Sequence, residues 1–178
     1  VISEDLCTKY KLNGDPADKV DVVFVPLNFN EDEIDDFEVN IIPKAVNTLT
    51  SVEPFKSSQE KFNFYFVKKS FSAGDCWRND CNTIVKKYGA ACPNRDELMG
   101  LSKGMAGGYA WNHIGVSGIL DNSDDFNNYV LLHEFGHSFG ALYHEGTVVA
   151  NYEYDLPRIP NCDYNGCPKW CSGNFVYD

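Results

Sequence analysis

The sequence predicts an α+β fold in which an N-terminal subdomain of α/β type precedes an irregular C-terminal part. A nearly continuous apolar run at residues 19–27 and an aromatic-rich run at 61–69 have the length and composition of buried strands. Between these runs, and again before residue 140, apolar residues recur at helical spacing. We therefore expect a mixed twisted sheet, a backing helix and a second long helix at residues 1–140, and a small subdomain at 141–178, within one domain of 178 residues.

The first helix is expected to follow the strand at 19–27 directly. Either Asn28 or Asn30 can cap it, and acidic residues occupy its first turn. Pro43 should kink or split this helix, because proline lacks the amide hydrogen that a helix interior requires. Strand, helix and strand then form a βαβ unit with an expected right-handed crossover. The apolar face of the helix comprises Ile34, Phe37, Ile41, Ala45 and Leu49.

The middle of the chain is less regular. Residues 70–95 show little periodicity, so we expect an excursion with one short helix, followed by a strand at 96–103. The glycine-rich stretch at 104–120 is open to two interpretations: an edge strand that could pair with an extended peptide, or a loop. Asn122 or Ser123 can cap the second long helix. We expect that helix to end at Gly140, since glycine commonly takes the left-handed conformation past a helix end.

Composition limits the classes of partner. The net charge of −11 argues against nucleic acid, whose phosphates attract basic surfaces. No run approaches 18 apolar residues, so we expect no membrane span. The acidic residues at 31–38 suit a solvated helix N-terminus, with a calcium site as the alternative. We expect a monomer.

Seven cysteines indicate disulfides, and therefore a secreted, extracellular or periplasmic protein. We expect them to pin loops, above all in the proline-rich tail, and the odd number leaves at least one thiol free or paired elsewhere. A structural zinc site in the tail is the alternative, although its cysteines lack a CxxC pair. Since the chain begins at Val1 without a charged-then-apolar leader, we expect either a processed form or a trimmed one. The cysteines are Cys7, Cys76, Cys81, Cys92, Cys162, Cys167 and Cys171.

The stretch HEFGHSFGALYHE at residues 133–145 contains the most specific motif of the chain. On a helix each residue turns by about 100°, so His133 and His137 lie on one face. Glu134 stands at the edge of that face, and Gly136 leaves room beside the two imidazoles. The opposite face should be a core stripe of Leu131, Leu132, Phe135 and Phe139.

Two histidines with a glutamate between them, HExxH, suit a catalytic zinc ion. Zinc in catalytic sites takes three protein ligands and activates a water, whose proton the glutamate can accept as a general base. We expect Zn2+ to be held by His133, His137 and His144, with Glu134 as the catalytic base and later acid. His144 is preferred to Tyr143, because a neutral imidazole is a better zinc donor than a phenol.

Other residues near the motif remain open as alternatives. Glu145 and the more distant Glu153 are rival third ligands, since either carboxylate could reach the metal. His113, the remaining histidine, is expected to be a polar residue on a rim or a strand rather than a ligand.

The sequence HEFGHSFG followed by ALYHE resembles the zinc-helix motif of the bacterial IgA-peptidase family, a branch of metzincin-like zinc peptidases. The stretches VDVVFVPLNFNEDEIDDF and SVEPFKSSQEKFNFYFV are similar to the family's first strand, helix and second strand. NYEYDLPRIPN and KW match more weakly. This resemblance implies a metzincin-like zinc peptidase fold and endopeptidase activity. In contrast to that pattern, Met99 and Met105 both precede the motif, so no methionine turn follows it, and His144 stands where the family tends to have an acidic residue.

The sequence therefore predicts a secreted, zinc-dependent endopeptidase whose substrate is a peptide or protein. Two other functions stay open: a zinc-binding but inactive recognition module, and a disulfide-stapled structural protein with incidental histidines. Glu134 favours the enzyme over the inactive module, and bound stoichiometric zinc would exclude the structural protein.

Overall fold

The computed structural model describes residues 3–77, 80–119 and 125–142, with the backbone alone for 125–128. Nearly all of the expected C-terminal subdomain at 141–178 lies outside these ranges. Several predicted features lie outside the described ranges and stay predictions. They are the helix caps Asn122 and Ser123, the ligand candidates His144, Glu145 and Glu153, and the tail cysteines Cys162, Cys167 and Cys171.

A six-stranded mixed sheet forms the centre of the described region. Its order is β1-β3-β2-β4-β6-β5, in which β2 is parallel to β3 and β4, β4 is parallel to β6, and the two edge strands are antiparallel to their neighbours. The α+β class and the mixed sheet are thus confirmed. The strands are β1 Cys7–Lys11, β2 Val20–Leu27, β3 Phe62–Val67, β4 Glu97–Lys103, β5 Gly108–Trp111 and β6 Ile114–Ile119.

The helix between β2 and β3 is interrupted, as Pro43 predicts. A 3-10 turn at Glu31–Glu33 leads into α1 (Ile34–Asp36), a π-helical turn at Phe37–Ile41 follows, and α2 (Ile42–Thr50) carries Pro43 in its first turn. Proline is tolerated there because the first amides of a helix have no partner within it. Asn30 is the N-cap, and its backbone amide donates to the Glu33 carboxylate at 2.8 Å. With β2 parallel to β3, the expected βαβ unit is confirmed.

Two further helices are present among the described residues. The short helix α3 (Cys81–Gly89) confirms the expectation for residues 70–95, and α4 (Asp125–Gly140) carries the HExxH motif. The glycine-rich stretch forms the hairpin β5–β6, so the edge-strand interpretation is correct as to structure. In the part of the chain that the structure describes, no helix is both long enough and apolar enough to cross a membrane.

An apolar core lies against each face of the sheet, so its central strands are buried on both sides. Val22 and Phe24 face a cluster that includes α2 and α4, whereas Val23 and Val25 face a cluster that includes α3. This alternation explains why the run at 19–27 is almost continuously apolar. The two helices on one face and α3 on the other hold the sheet between them.

Two disulfides confirm the prediction of disulfide bonding. Cys76 pairs with Cys81, across five positions of the chain, which is a local loop closure of the expected kind. Cys7 pairs with Cys92, across 85 positions, and so ties the edge strand β1 to the turn after α3. This long-range pair and the strand β1 itself were not predicted from the sequence.

Candidate metal centre

The helix α4 presents its apolar stripe to the core. Leu131 and Phe135 are buried, and Leu132 and Phe139 pack at the border of the same cluster. The ring of Phe135 lies edge-on to that of Phe55, with 5.3 Å between centroids. The predicted core stripe is confirmed, and it fixes the rotation of α4 about its own axis.

The structure brings the two motif histidines together on the outer side of α4. The Nε2 atoms of His133 and His137 lie 3.0 Å apart. Zinc–nitrogen bonds of about 2.0–2.1 Å at a tetrahedral angle would place two ligand nitrogens about 3.3 Å apart. The pair is therefore spaced, within a few tenths of an ångström, as two imidazoles that share one metal ion.

A backbone contact orients the second of these rings. His137 Nδ1 contacts the carbonyl oxygen of Leu142, which can only accept, so Nδ1 carries the hydrogen. In the neutral ring the Nε2 atom of His137 then carries no hydrogen, and it faces the Nε2 atom of His133. Metal-bound histidines commonly use their other ring nitrogen in this way, because the hydrogen bond fixes the tautomer and the ring orientation.

The end of α4 corrects one detail of the sequence-based expectation. The helix does end at Gly140, but the left-handed residue is Ala141, with φ of 50°. The Leu142 amide then donates to the Gly136 carbonyl at 3.2 Å. This reversal brings the Leu142 carbonyl back to His137, so the turn that ends the helix also orients a candidate ligand.

Glu134 lies against β5 rather than in open solvent. It is only 5% exposed, and burial raises the pKa of its carboxyl to about 7. A Cβ atom on Gly108 would lie 2.6 Å from Glu134 Cγ and 2.6 Å from the Val116 carbonyl oxygen, so only glycine fits at that position. A divalent cation nearby would favour the ionised carboxylate. The carboxyl group is thus held beside the edge strand by close packing.

In the edge strand β5, some backbone N–H and C=O groups point away from the sheet. Gly118 donates its amide to the Gly107 carbonyl at 2.8 Å, and hydrogen-bonded pairs alternate with non-bonded pairs in an antiparallel ladder. Gly108 and Ala110 are therefore the positions whose N–H and C=O groups point outward. No strand among the described residues pairs with these groups, so they can pair with an extended chain next to Glu134.

His113 lies in the tight turn between β5 and β6. Asn112 and His113 have φ of 49° and 66°, as a two-residue hairpin turn requires. His113 Nδ1 contacts the carboxylate of Glu97, which is fully buried at the start of β4, and the His113 amide donates to the Ser138 carbonyl at 3.3 Å. The residue thus lies on a rim, as expected, and it connects the hairpin to the last turn of α4.

The candidate metal ligands within the described residues are two imidazole side chains, which suit zinc. Within residues 3–77, 80–119 and 125–142, no three histidine, cysteine, aspartate or glutamate side chains converge on a common point. His133 and His137 would supply two ligands, and the predicted third ligand, His144, lies outside those ranges together with its rivals Glu145 and Glu153. Imidazole nitrogens are ligands that zinc prefers, and the Leu142 carbonyl orients one of the two rings from behind.

Comparison with models of known protein families found no match, and comparison with curated proteins found no significant one. The resemblance to IgA-type zinc peptidases consequently rests on the quoted motifs alone.

Sequence reasoning missed three contributors to the site: Gly108, Leu142 and Glu97. Gly108 supplies space, Leu142 supplies a backbone oxygen, and Glu97 is a fully buried acid at the start of β4. Only the last leaves a trace in the sequence, since a glutamate that opens the run ELMGL must be buried if that run forms a central strand.

Proposed function

We propose that the protein is a zinc-dependent endopeptidase of metzincin-like architecture. The observation that carries this proposal is the pair of Nε2 atoms 3.0 Å apart on α4, next to a buried glutamate in the HExxH spacing. In this proposal His133, His137 and His144 hold the metal, and Glu134 is the catalytic residue.

The chemistry divides between the metal and the protein. Zinc, when bound, would supply a Lewis acid for the scissile carbonyl and lower the pKa of the attacking water toward about 7. Glu134 accepts the proton of that water and then donates it to the leaving amine. Its close packing against Gly108 keeps the carboxyl group in one place during both transfers, which favours the reaction by positioning.

The edge strand offers a way to hold the substrate. A peptide that pairs with the outward backbone groups of Gly108 and Ala110 would run as a seventh strand beside Glu134. Main-chain hydrogen bonds of this kind bind an extended chain regardless of its sequence. We therefore propose extended segments of peptides or proteins as the substrate.

The two disulfides support a secreted or periplasmic location.

Metal removal tests the function. A chelator should abolish hydrolysis of an unstructured protein such as casein, and equimolar zinc should restore it. Hydrolysis that persists in excess chelator would contradict the proposal. Stoichiometric zinc without any hydrolysis would instead support the inactive recognition module.

Zinc affinity tests the third ligand. The variant His144→Ala should bind zinc more weakly by orders of magnitude, whereas Glu145→Ala and Glu153→Ala should bind it as the parent does. If His144→Ala keeps the parent's affinity and one of the glutamate variants loses it, that glutamate takes the place of His144 in the ligand set.

A further inference from the structure

Three aromatic side chains lie at the β5 edge, on the face of the sheet opposite α4. Tyr109 packs against the core cluster of the α3 side, whereas Gly108 packs against Glu134 on the α4 side. Because side chains alternate along a strand, Trp111 shares the face of Tyr109. Trp77 joins them from the loop before α3, with its ring 5.9 Å from that of Tyr109. We call Trp77, Tyr109 and Trp111 the aromatic row.

The two tryptophans of the aromatic row are exposed, and Trp77 is held in place. Trp77 is 59% exposed and Trp111 is 67% exposed, which is unusual for side chains of this size. Trp77 nevertheless donates its indole N–H to the Ala106 carbonyl at 3.2 Å, and a disulfide between Cys76 and Cys81 closes its loop. A large apolar surface that is already ordered loses little conformational entropy when it binds a partner.

An extended peptide on β5 would meet this row at regular intervals. If the peptide pairs with the outward groups of Gly108 and Ala110, its residues opposite them point toward the α4 face. The residues opposite Tyr109 and Trp111 point toward the aromatic row. Two substrate positions separated by a single residue would therefore contact aromatic rings, while the position between them faces the side of Glu134.

We propose that the aromatic row makes the enzyme selective for peptides with large apolar or aromatic side chains at two alternate positions on one side of the cleaved bond. This inference rests on the proposed endopeptidase function and adds the substrate class. None of the four residues of β5 is charged, so that strand offers a substrate side chain apolar contact rather than an ion pair. Ring–ring contacts would add to the binding of aromatic side chains in particular.

The test uses a set of fluorogenic peptides in which each position in turn carries phenylalanine or alanine. For the parent, the ratio of kcat/KM between the two peptides should be about tenfold at two positions one residue apart, and close to one at the position between them. In Trp111→Ala the ratio should fall toward one at only one of these positions. Trp111→Phe should keep most of the preference, because a ring remains.

Tyr10→Ala is the matched control, since Tyr10 is also an exposed aromatic residue on an edge strand, at the far side of the same sheet. It should leave all the ratios unchanged. Cleavage by the parent without any alternate preference, or equal ratios in the parent and Trp111→Ala, would overturn the inference while the endopeptidase function stands. Absence of hydrolysis for every peptide by the zinc-loaded parent would overturn both.

Discussion

The two edges of the sheet carry side chains of opposite character. The edge strand β1 has the sequence CTKYK, with Lys9 and Lys11 on it, whereas β5 has the sequence GYAW and no charge. Lysine on an edge strand discourages pairing with another chain, because a paired strand would have to accommodate its charge. β1 is therefore protected against pairing with another chain, whereas β5 carries no charge that would oppose such pairing.

The two edges are also anchored by different means. A disulfide between Cys7 and Cys92 ties β1 to the turn after α3. The β5–β6 hairpin has no such link among the residues described, and instead rests on α4 and on the contact between His113 and the buried Glu97. The covalent link at β1 is consistent with a structural role for that strand. A packed anchor connects the other edge directly to the helix that carries the candidate ligands.

Removal of the disulfides should produce the largest difference between the two edges. In the chain-entropy model a disulfide stabilises according to the length of the loop it closes, so Cys7–Cys92 should contribute roughly 4–5 kcal/mol and Cys76–Cys81 roughly 2 kcal/mol. The double serine variants should lose these amounts of unfolding free energy, measured by urea denaturation. Equal losses from the two variants would show that loop length does not govern their effect.

Proline scanning should separate the edges by function. Proline at an outward position of an edge strand removes one exposed N–H and leaves the ladder intact. Ala110→Pro should therefore lower kcat/KM for a peptide substrate about tenfold, by the loss of one substrate hydrogen bond. The melting temperature should change little.

Lys9→Pro is the matched control at β1. The Lys68 amide donates to the Leu6 carbonyl at 2.8 Å, so by the alternation of the ladder Lys9 also points its N–H outward. This variant should keep the parent's kcat/KM. If both proline variants lose activity equally, the effect is a general loss of structure, and β5 has no special role in binding.

The pH dependence of stability should show the smallest difference. Burial raises the pKa of Glu97 above its usual value of 4.5, while His113 opposes this shift and Asp96 adds to it. A carboxyl whose pKa is raised on folding contributes stability that is fully present below its unfolded pKa and is lost as the pH rises through its folded pKa. The parent should therefore lose unfolding free energy relative to Glu97→Gln as the pH rises above 4.5.

Urea denaturation at several pH values measures this difference. The corresponding difference for the Cys7→Ser/Cys92→Ser variant should stay flat over the same range, since a disulfide does not titrate. A parent that gains stability relative to Glu97→Gln as the pH rises would contradict the direction of the shift.

The elements that could be predicted from the sequence are those that a short stretch of residues determines by itself. The strand β2 follows from nine consecutive mostly apolar residues, and the break near Pro43 follows from a missing amide. The strand β1 could not be predicted in this way, because CTKYK is short and polar and forms a strand only by pairing with β3, more than 50 positions away.

The residues of the candidate site also fall into two groups, those that helical spacing predicts and those that it does not. His133, His137 and Glu134 share a helix, so their relation follows from helical spacing alone. Gly108 contributes through a tertiary contact that no spacing encodes, and Leu142 contributes through the reversal of the chain after α4. The left-handed residue at the end of α4 is Ala141 and not the expected glycine, so residue preference alone does not predict where the backbone reverses.

The most direct test of the central claim is to measure bound zinc and peptide hydrolysis in the same preparations of the parent and of Glu134→Ala. We expect one zinc per chain in both proteins, with hydrolysis reduced by on the order of 10²- to 10⁴-fold or more in the variant, because in our proposal Glu134 moves protons and does not bind the metal. Hydrolysis by Glu134→Ala at the parent's rate, or loss of zinc together with activity, would contradict it.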